Sequence, residues 1–199
     1  MCASVDRWFY LPEAGYLADC LHARPGIPAA AATPDDALRP NQLLAVTLGT
    51  LTDTRRRQQI VTACQELLVP GGLRSLADRP VTRPLAIHKD GRLLGDPQRP
   101  YRGHYAGDED TQRKPAYHNG TAWGWLLPLF CEALALAYPE TGRDTARAYL
   151  AHSIRLLNSG CVGHLPEIFD GDAPHAPRGC DAQAWSVSEL LRVWHKLAG

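Results

Sequence analysis

Residues 120–138 read GTAWGWLLPLFCEALALAY, and this run decides the fold class. Apolar side chains fall on every face of a helix drawn through it, and Glu132 is its one charge. A helix that is apolar all round belongs in a core. Gly124, Pro128 and Glu132 interrupt the run, which is too short and too broken for a bilayer span.

The flanking segments fit helices packed around it. Residues 142–158 carry Ala146, Tyr149, Leu150, Ile154 and Leu157 on one stripe, and 182–197 carry Ala184, Val187, Leu190, Leu191 and Trp194. Upstream, 40–51 reads as a helix with Pro40 in its first turn, where a missing N–H is harmless. In 54–69, Ile60, Cys64 and Leu67 follow i, i+4, i+7 with Val61 and Leu68 beside them. Asp53 or Thr54 caps that helix and Pro70-Gly71-Gly72 stops it. Between residues 8 and 21, two extended pieces flank a turn at Pro12-Glu13-Ala14-Gly15, a short β-hairpin. Two long loops, 73–116 and 160–180, complete the pattern of paired helices joined alternately by short turns and long loops. Loops of that length in a compact domain are usually functional, and here they are expected to gather at one rim around one pocket.

Composition removes several classes. The chain has 199 residues, with 21 Lys+Arg against 21 Asp+Glu. A neutral balance disfavours nucleic-acid binding, which needs a basic face. No basic stretch followed by an apolar run opens the chain, so a cytoplasmic protein with reduced thiols is expected. The six cysteines (Cys2, Cys20, Cys64, Cys131, Cys161 and Cys180) form no CxxC pair. His164 and His175, flanking Asp170 and Asp172, match no ligand spacing. GxGxxG and P-loop motifs are absent. Neither a metal nor a cofactor is expected.

The candidate chemistry lies in the loops. Glu167 stands between apolar neighbours in Pro166-Glu167-Ile168-Phe169-Asp170-Gly171-Asp172. A partly desolvated carboxylate there suits acid/base work, and capping of a turn is the alternative. Arg39, Asn41 and Gln42 offer a guanidinium fork and two amides for sugar hydroxyls, or else an ion pair with Asp36 steadies the loop. Tyr117, His118 and Trp123, with Arg178, Gln183 and Trp185, supply rings and polar groups of the kind found in carbohydrate pockets. Helix capping and core packing would use the same residues.

Longer motifs carry a resemblance. The run 166–175, PEIFDGDAPH, leads into Pro177-Arg178-Gly179-Cys180 and then 182–187, AQAWSV. It is similar to the C-terminal signature of the glycogen debranching enzyme family, the amylo-α-1,6-glucosidases. Leu38-Arg39-Pro40-Asn41-Gln42 and the run 116–123, AYHNGTAW, resemble two further family motifs in the same order. Gly71, Leu73-Arg74-Ser75-Leu76 and Tyr101-Arg102-Gly103 fall between them. The similarity runs from about Trp8 onward.

This resemblance implies a barrel of helical hairpins, (α/α)6, that hydrolyses α-1,6-linked glucose at branch points of glycogen or limit dextrin. Two carboxyl groups would act with inversion at the anomeric carbon, and Glu167 would be the general base. Arg39, Asn41, Gln42, Tyr117, His118, Trp123, Asp170, Arg178, Gln183 and Trp185 would bind the glucose. The family's general acid is an aspartate in a T-W-M-D segment, which this sequence lacks. The expectation is therefore one partial all-α domain over 1–199, about the C-terminal half of the barrel and inactive without the acid-bearing half. The alternatives are a non-catalytic glucan-binding remnant, or part of another barrel glycosidase such as a trehalase or glucoamylase.

Overall fold

The computed structural model describes residues 2–199. Five helices form the body: α1 (Leu43–Thr47), α2 (Thr54–Cys64), α3 (Leu126–Ala137), α4 (Gly142–Ile154) and α5 (Ala184–Ala198). Helix α3, the apolar centre of the 120–138 run, is the hub, and each of the other four packs on it. Leu126, Leu127, Leu129, Phe130, Cys131, Ala133, Leu134 and Ala137 are all buried, as the absence of a polar stripe predicts. None of the described helices is long and apolar enough to cross a membrane.

The helix boundaries are narrower than the sequence pattern suggests. The segment expected over 40–51 opens with a 3₁₀ turn, Pro40–Gln42, and has only five α-helical residues. Helix α2 begins at its predicted cap, where the Asp53 carboxylate accepts the Arg56 N–H at 2.8 Å. Ile60, Val61, Cys64 and Leu67 are fully buried, the predicted stripe. On α4 the stripe is only half right: Ala146 and Leu150 are buried, whereas Tyr149 and Ile154 are exposed. On α5 the core takes Leu190, Val193 and Leu197, and Leu191 faces outward.

The domain is mostly helical but not all-α. The predicted hairpin is present as β1 (Tyr10–Leu11) paired with β2 (Tyr16–Leu17). A second sheet, absent from the sequence reading, has five short antiparallel strands. These are β3 (Leu68–Val69), β4 (Gly72–Arg74), β5 (Ala122–Trp123), β6 (Ile168–Phe169) and β7 (Pro177–Arg178), in the spatial order β7-β6-β5-β4-β3. Strands of two or three residues show no alternation long enough to read, so in the sequence they resemble helix ends and loops. Pro70-Gly71 does stop α2's continuation, but as the turn of the β3–β4 hairpin. In β5, Trp123 lies opposite Leu73 on one side and Ile168 on the other. The approach of β4 is close: a Cβ on Gly72 would lie 2.9 Å from the Trp123 carbonyl oxygen, so glycine is required there.

The lone charge of the apolar run also has a structural use. Glu132 is 3 % exposed and accepts hydrogen bonds at 2.6 Å from both Arg192 and Lys196, which fastens α5 to α3. Burial alone would raise its pKa, but the two cations more than offset this and hold it below the ordinary 4.5. A depressed carboxylate stabilises the fold above its unfolded-state value, and that stabilisation is lost as pH falls through the folded value. Glu132→Gln is expected to lower the unfolding free energy at pH 7 by about 1–3 kcal/mol. In denaturant titrations, the gap between variant and parent should shrink as the pH drops below 4.5.

Candidate active site

The central sheet brings three distant loops to one place. Glu167 immediately precedes β6. Its N–H donates to the Cys180 carbonyl at 2.9 Å, and its own carbonyl accepts from the Gly124 N–H at 3.3 Å. The backbone is thereby fixed on both sides before the side chain is placed. Both carboxylate oxygens are held as well: the Tyr117 hydroxyl donates to Oε1, and the Cys180 N–H donates to Oε2 at 3.0 Å. Gly179 makes room for this. Its φ is +69°, and a Cβ there would lie 2.5 Å from Glu167 Oε2. Burial, and then the neighbouring Glu167 carboxylate, push the Tyr117 phenol above its ordinary value of 10.0, so it remains a donor at neutral pH.

Tyr117 begins an aromatic wall. Its ring meets Trp123 edge-on at 4.7 Å between centroids, and Tyr105 lies 5.5 Å away on its other side. His118 stacks on Trp123 at 5.5 Å with the rings 5° from parallel. Burial and the nearby Arg39 lower the His118 pKa below 6.5, which keeps the imidazole neutral at pH 7. The Trp123 indole N–H donates to the Tyr117 carbonyl at 3.1 Å, so the wall does not turn. Trp185 packs edge-on against Trp123 at 5.8 Å and tilts over Trp125 at 5.7 Å. A cavity of about 280 Å³ opens here, lined by Pro40, Asn41, Ser75, His118, Trp123 and Trp185 among others. Trp125 and Trp185 are shared with an apolar groove of about 530 Å³ between α1, α3 and α5.

Of the residues expected to bind substrate, Asn41, His118, Trp123 and Trp185 line this cavity, and Tyr117 joins it to Glu167. The others serve the scaffold. Arg39 donates to the Ser75 and His118 carbonyls and to Asn119 Oδ1 at 2.9 Å, and pairs with Asp19 at 3.1 Å. Gln42 accepts the Leu17 N–H at 3.0 Å and donates to the Arg39 carbonyl at 2.9 Å. Asp170 is buried. Its Oδ2 accepts two hydrogen bonds from Arg178, at 2.9 and 3.1 Å, and its Oδ1 accepts the Tyr105 N–H at 2.8 Å. Burial would raise its pKa, yet Arg178 and the amide hold it below 3.8. Gln183 caps α5 by accepting the Ala184 N–H at 3.1 Å.

The 101–105 segment locks the acidic loop. Tyr101 donates to Asp172 at 2.7 Å, and the Gly171 N–H donates to the Gly103 carbonyl at 2.6 Å. Trp125, Ser75 and Tyr105 were not among the expected site residues. Trp125 reads equally well as core, and Ser75 carried a signal only through its place in the family-like run 73–76.

Nearly the whole of this fold, residues 4–192, is matched by the family model described as amylo-alpha-1,6-glucosidase. The chain therefore belongs to the amylo-α-1,6-glucosidase family, as a C-terminal domain of the debranching-enzyme type.

Proposed function

We propose that the chain supplies the base-bearing side of an inverting α-1,6-glucosidase acting on branch-point glucose of glycogen or limit dextrin. The observation that carries this reading is the Glu167 carboxylate, held by the Cys180 N–H and by the hydroxyl of Tyr117, whose ring packs on the cavity-lining His118 and Trp123. A glucose ring presents apolar C–H faces, which pack on indole and imidazole surfaces, and equatorial hydroxyls, which reach groups such as Asn41.

In this mechanism Glu167 accepts a proton from a water, whose oxygen attacks the anomeric carbon. The bond to the glycosidic oxygen breaks on the opposite face, and a carboxylic acid protonates that oxygen as it leaves. The two carboxyl groups must stand about 6.5–9.5 Å apart to admit the water. The Tyr117 hydroxyl and the Cys180 N–H each hold one Glu167 oxygen, which fixes the carboxylate in place to take the proton. The acid is supplied by polypeptide outside this sequence. The five helices are read as part of an (α/α)6 barrel completed by that polypeptide, in a cytoplasmic setting. The family match gives no support to a trehalase or glucoamylase origin.

Mixing the chain with a polypeptide bearing the family's acid segment is expected to release glucose from limit dextrin. Glu167→Gln should then lower kcat by about 10²–10⁴-fold while KM stays within a few-fold. A Glu167→Gln mixture as fast as the parent would refute the assignment, and binding without any hydrolysis would favour a glucan-binding remnant. Trp185→Ala is expected to weaken glycogen co-sedimentation about tenfold, equivalent to roughly 1.4 kcal/mol of stacked apolar contact. Unchanged co-sedimentation would remove Trp185 from the binding surface.

A further inference from the structure

Away from the aromatic cavity, three side chains with metal-binding atoms converge on one point. The segment Leu21–His22 pairs with Thr33–Pro34 as a small antiparallel ladder, with His22 opposite Thr33. Two further backbone bonds extend it: the Asp35 N–H donates to the Cys20 carbonyl at 2.9 Å, and the Asp19 N–H donates to the Asp35 carbonyl at 3.1 Å. Cys20 and Asp35 are therefore cross-strand neighbours. Side chains two apart on a strand share a face, which puts His22 beside Cys20.

The ligand atoms are close. Cys20 Sγ lies 3.1 Å from His22 Nε2, which lies 3.1 Å from Asp35 Oδ2, and Sγ and Oδ2 are 3.9 Å apart. Ligand atoms around a tetrahedral zinc, with a Zn–S bond near 2.3 Å and Zn–N and Zn–O bonds near 2.0–2.2 Å, are about 3.3–3.6 Å from one another. The triad is within a few tenths of an ångström of that figure. It does not have the geometry of a nucleophilic relay, in which thiol and carboxylate take opposite ring nitrogens. Here both approach Nε2. Asp35 is 2 % exposed, and its Oδ1 accepts the Ala37 N–H at 3.0 Å, which aims Oδ2 at the cluster.

We propose that Cys20, His22 and Asp35 bind a divalent metal ion of the zinc class, with water in the fourth position. The ion clips the strand at 20–22 to residue 35. It stands beside Asp19, the partner of Arg39, and so stiffens the mount on which Arg39 holds the His118 and Asn119 turn.

Titration of the full chain, freed of metal, with Co²⁺ tests this. One equivalent is expected to bind and give a thiolate-to-cobalt charge-transfer band, and Zn²⁺ should displace it. Cys20→Ser should abolish the band, and His22→Ala should weaken binding at least about tenfold, since changes even outside the ligand shell cost that much. Zn²⁺ should raise the Tm of the parent but not of Cys20→Ser. A band that persists in Cys20→Ser would place the metal on another cysteine and overturn the proposal. So would the absence of saturable binding to the folded parent, or an equal Zn²⁺-induced rise in Tm in both variants and the parent.

Discussion

Two residues of extended backbone, Ala122 and Trp123, are the constraint on which the candidate site depends. Their strand is paired on both edges, to Leu73–Arg74 on one side and Ile168–Phe169 on the other. Backbone pairing of this kind admits no slippage, because a shift of one residue would turn every side chain to the opposite face. Trp123 is therefore fixed in the pocket wall, Glu167 is fixed one residue before its partner Ile168, and Tyr117 is brought within reach of the carboxylate. The short strands also bury Leu73, Ala122, Ile168 and Phe169 in the core. Their importance is that they join loops from three parts of the chain at one register.

Around that register, the polar residues divide by task. Arg39, Gln42, Asp170 and Arg178 direct their hydrogen bonds to backbone groups, to one another and, for Arg39, to Asn119 and Asp19, in a partly buried shell where an unpaired donor or acceptor would be costly. The cavity itself is lined by three tryptophans, Pro40 and Leu126, with Asn41, Ser75 and the neutral His118 imidazole as its polar groups. An uncharged, ring-lined cavity beside a single anchored carboxylate suits a neutral sugar better than a charged substrate. It also agrees with a chain whose basic and acidic residues balance.

The sequence made the helical core legible because burial imposes a period. The all-apolar run at 126–137 and the Ile60, Cys64 and Leu67 stripe could be read directly. Tyr149 and Ile154 also fell on a predicted stripe yet are exposed, because periodicity shows which residues share a face and not whether a neighbour covers it. The five-stranded sheet was illegible, since two-residue strands have no period, and their pairing is long-range. The site was legible in its membership and not in its division of labour. The resemblance points to Glu167, Trp123 and Asp170, whereas spacing leaves each of them open, and only the three-dimensional arrangement distinguishes a ring that faces the cavity from a carboxylate locked to Arg178. The Cys20, His22 and Asp35 cluster is illegible in the sequence for the same reason: its third member arrives across a ladder, 13 residues after the second.

The role proposed for Glu167 is to activate the attacking water on the face of glucose opposite the leaving oxygen, and azide rescue separates that role from a purely structural one. In the reconstituted enzyme, Glu167→Ala removes the base and leaves room for a small anion, which needs no deprotonation to attack. Azide is expected to restore turnover of an α-glucosidic substrate, with β-glucosyl azide as the product. Full turnover by Glu167→Ala without azide, or an azide product of α configuration, would contradict it.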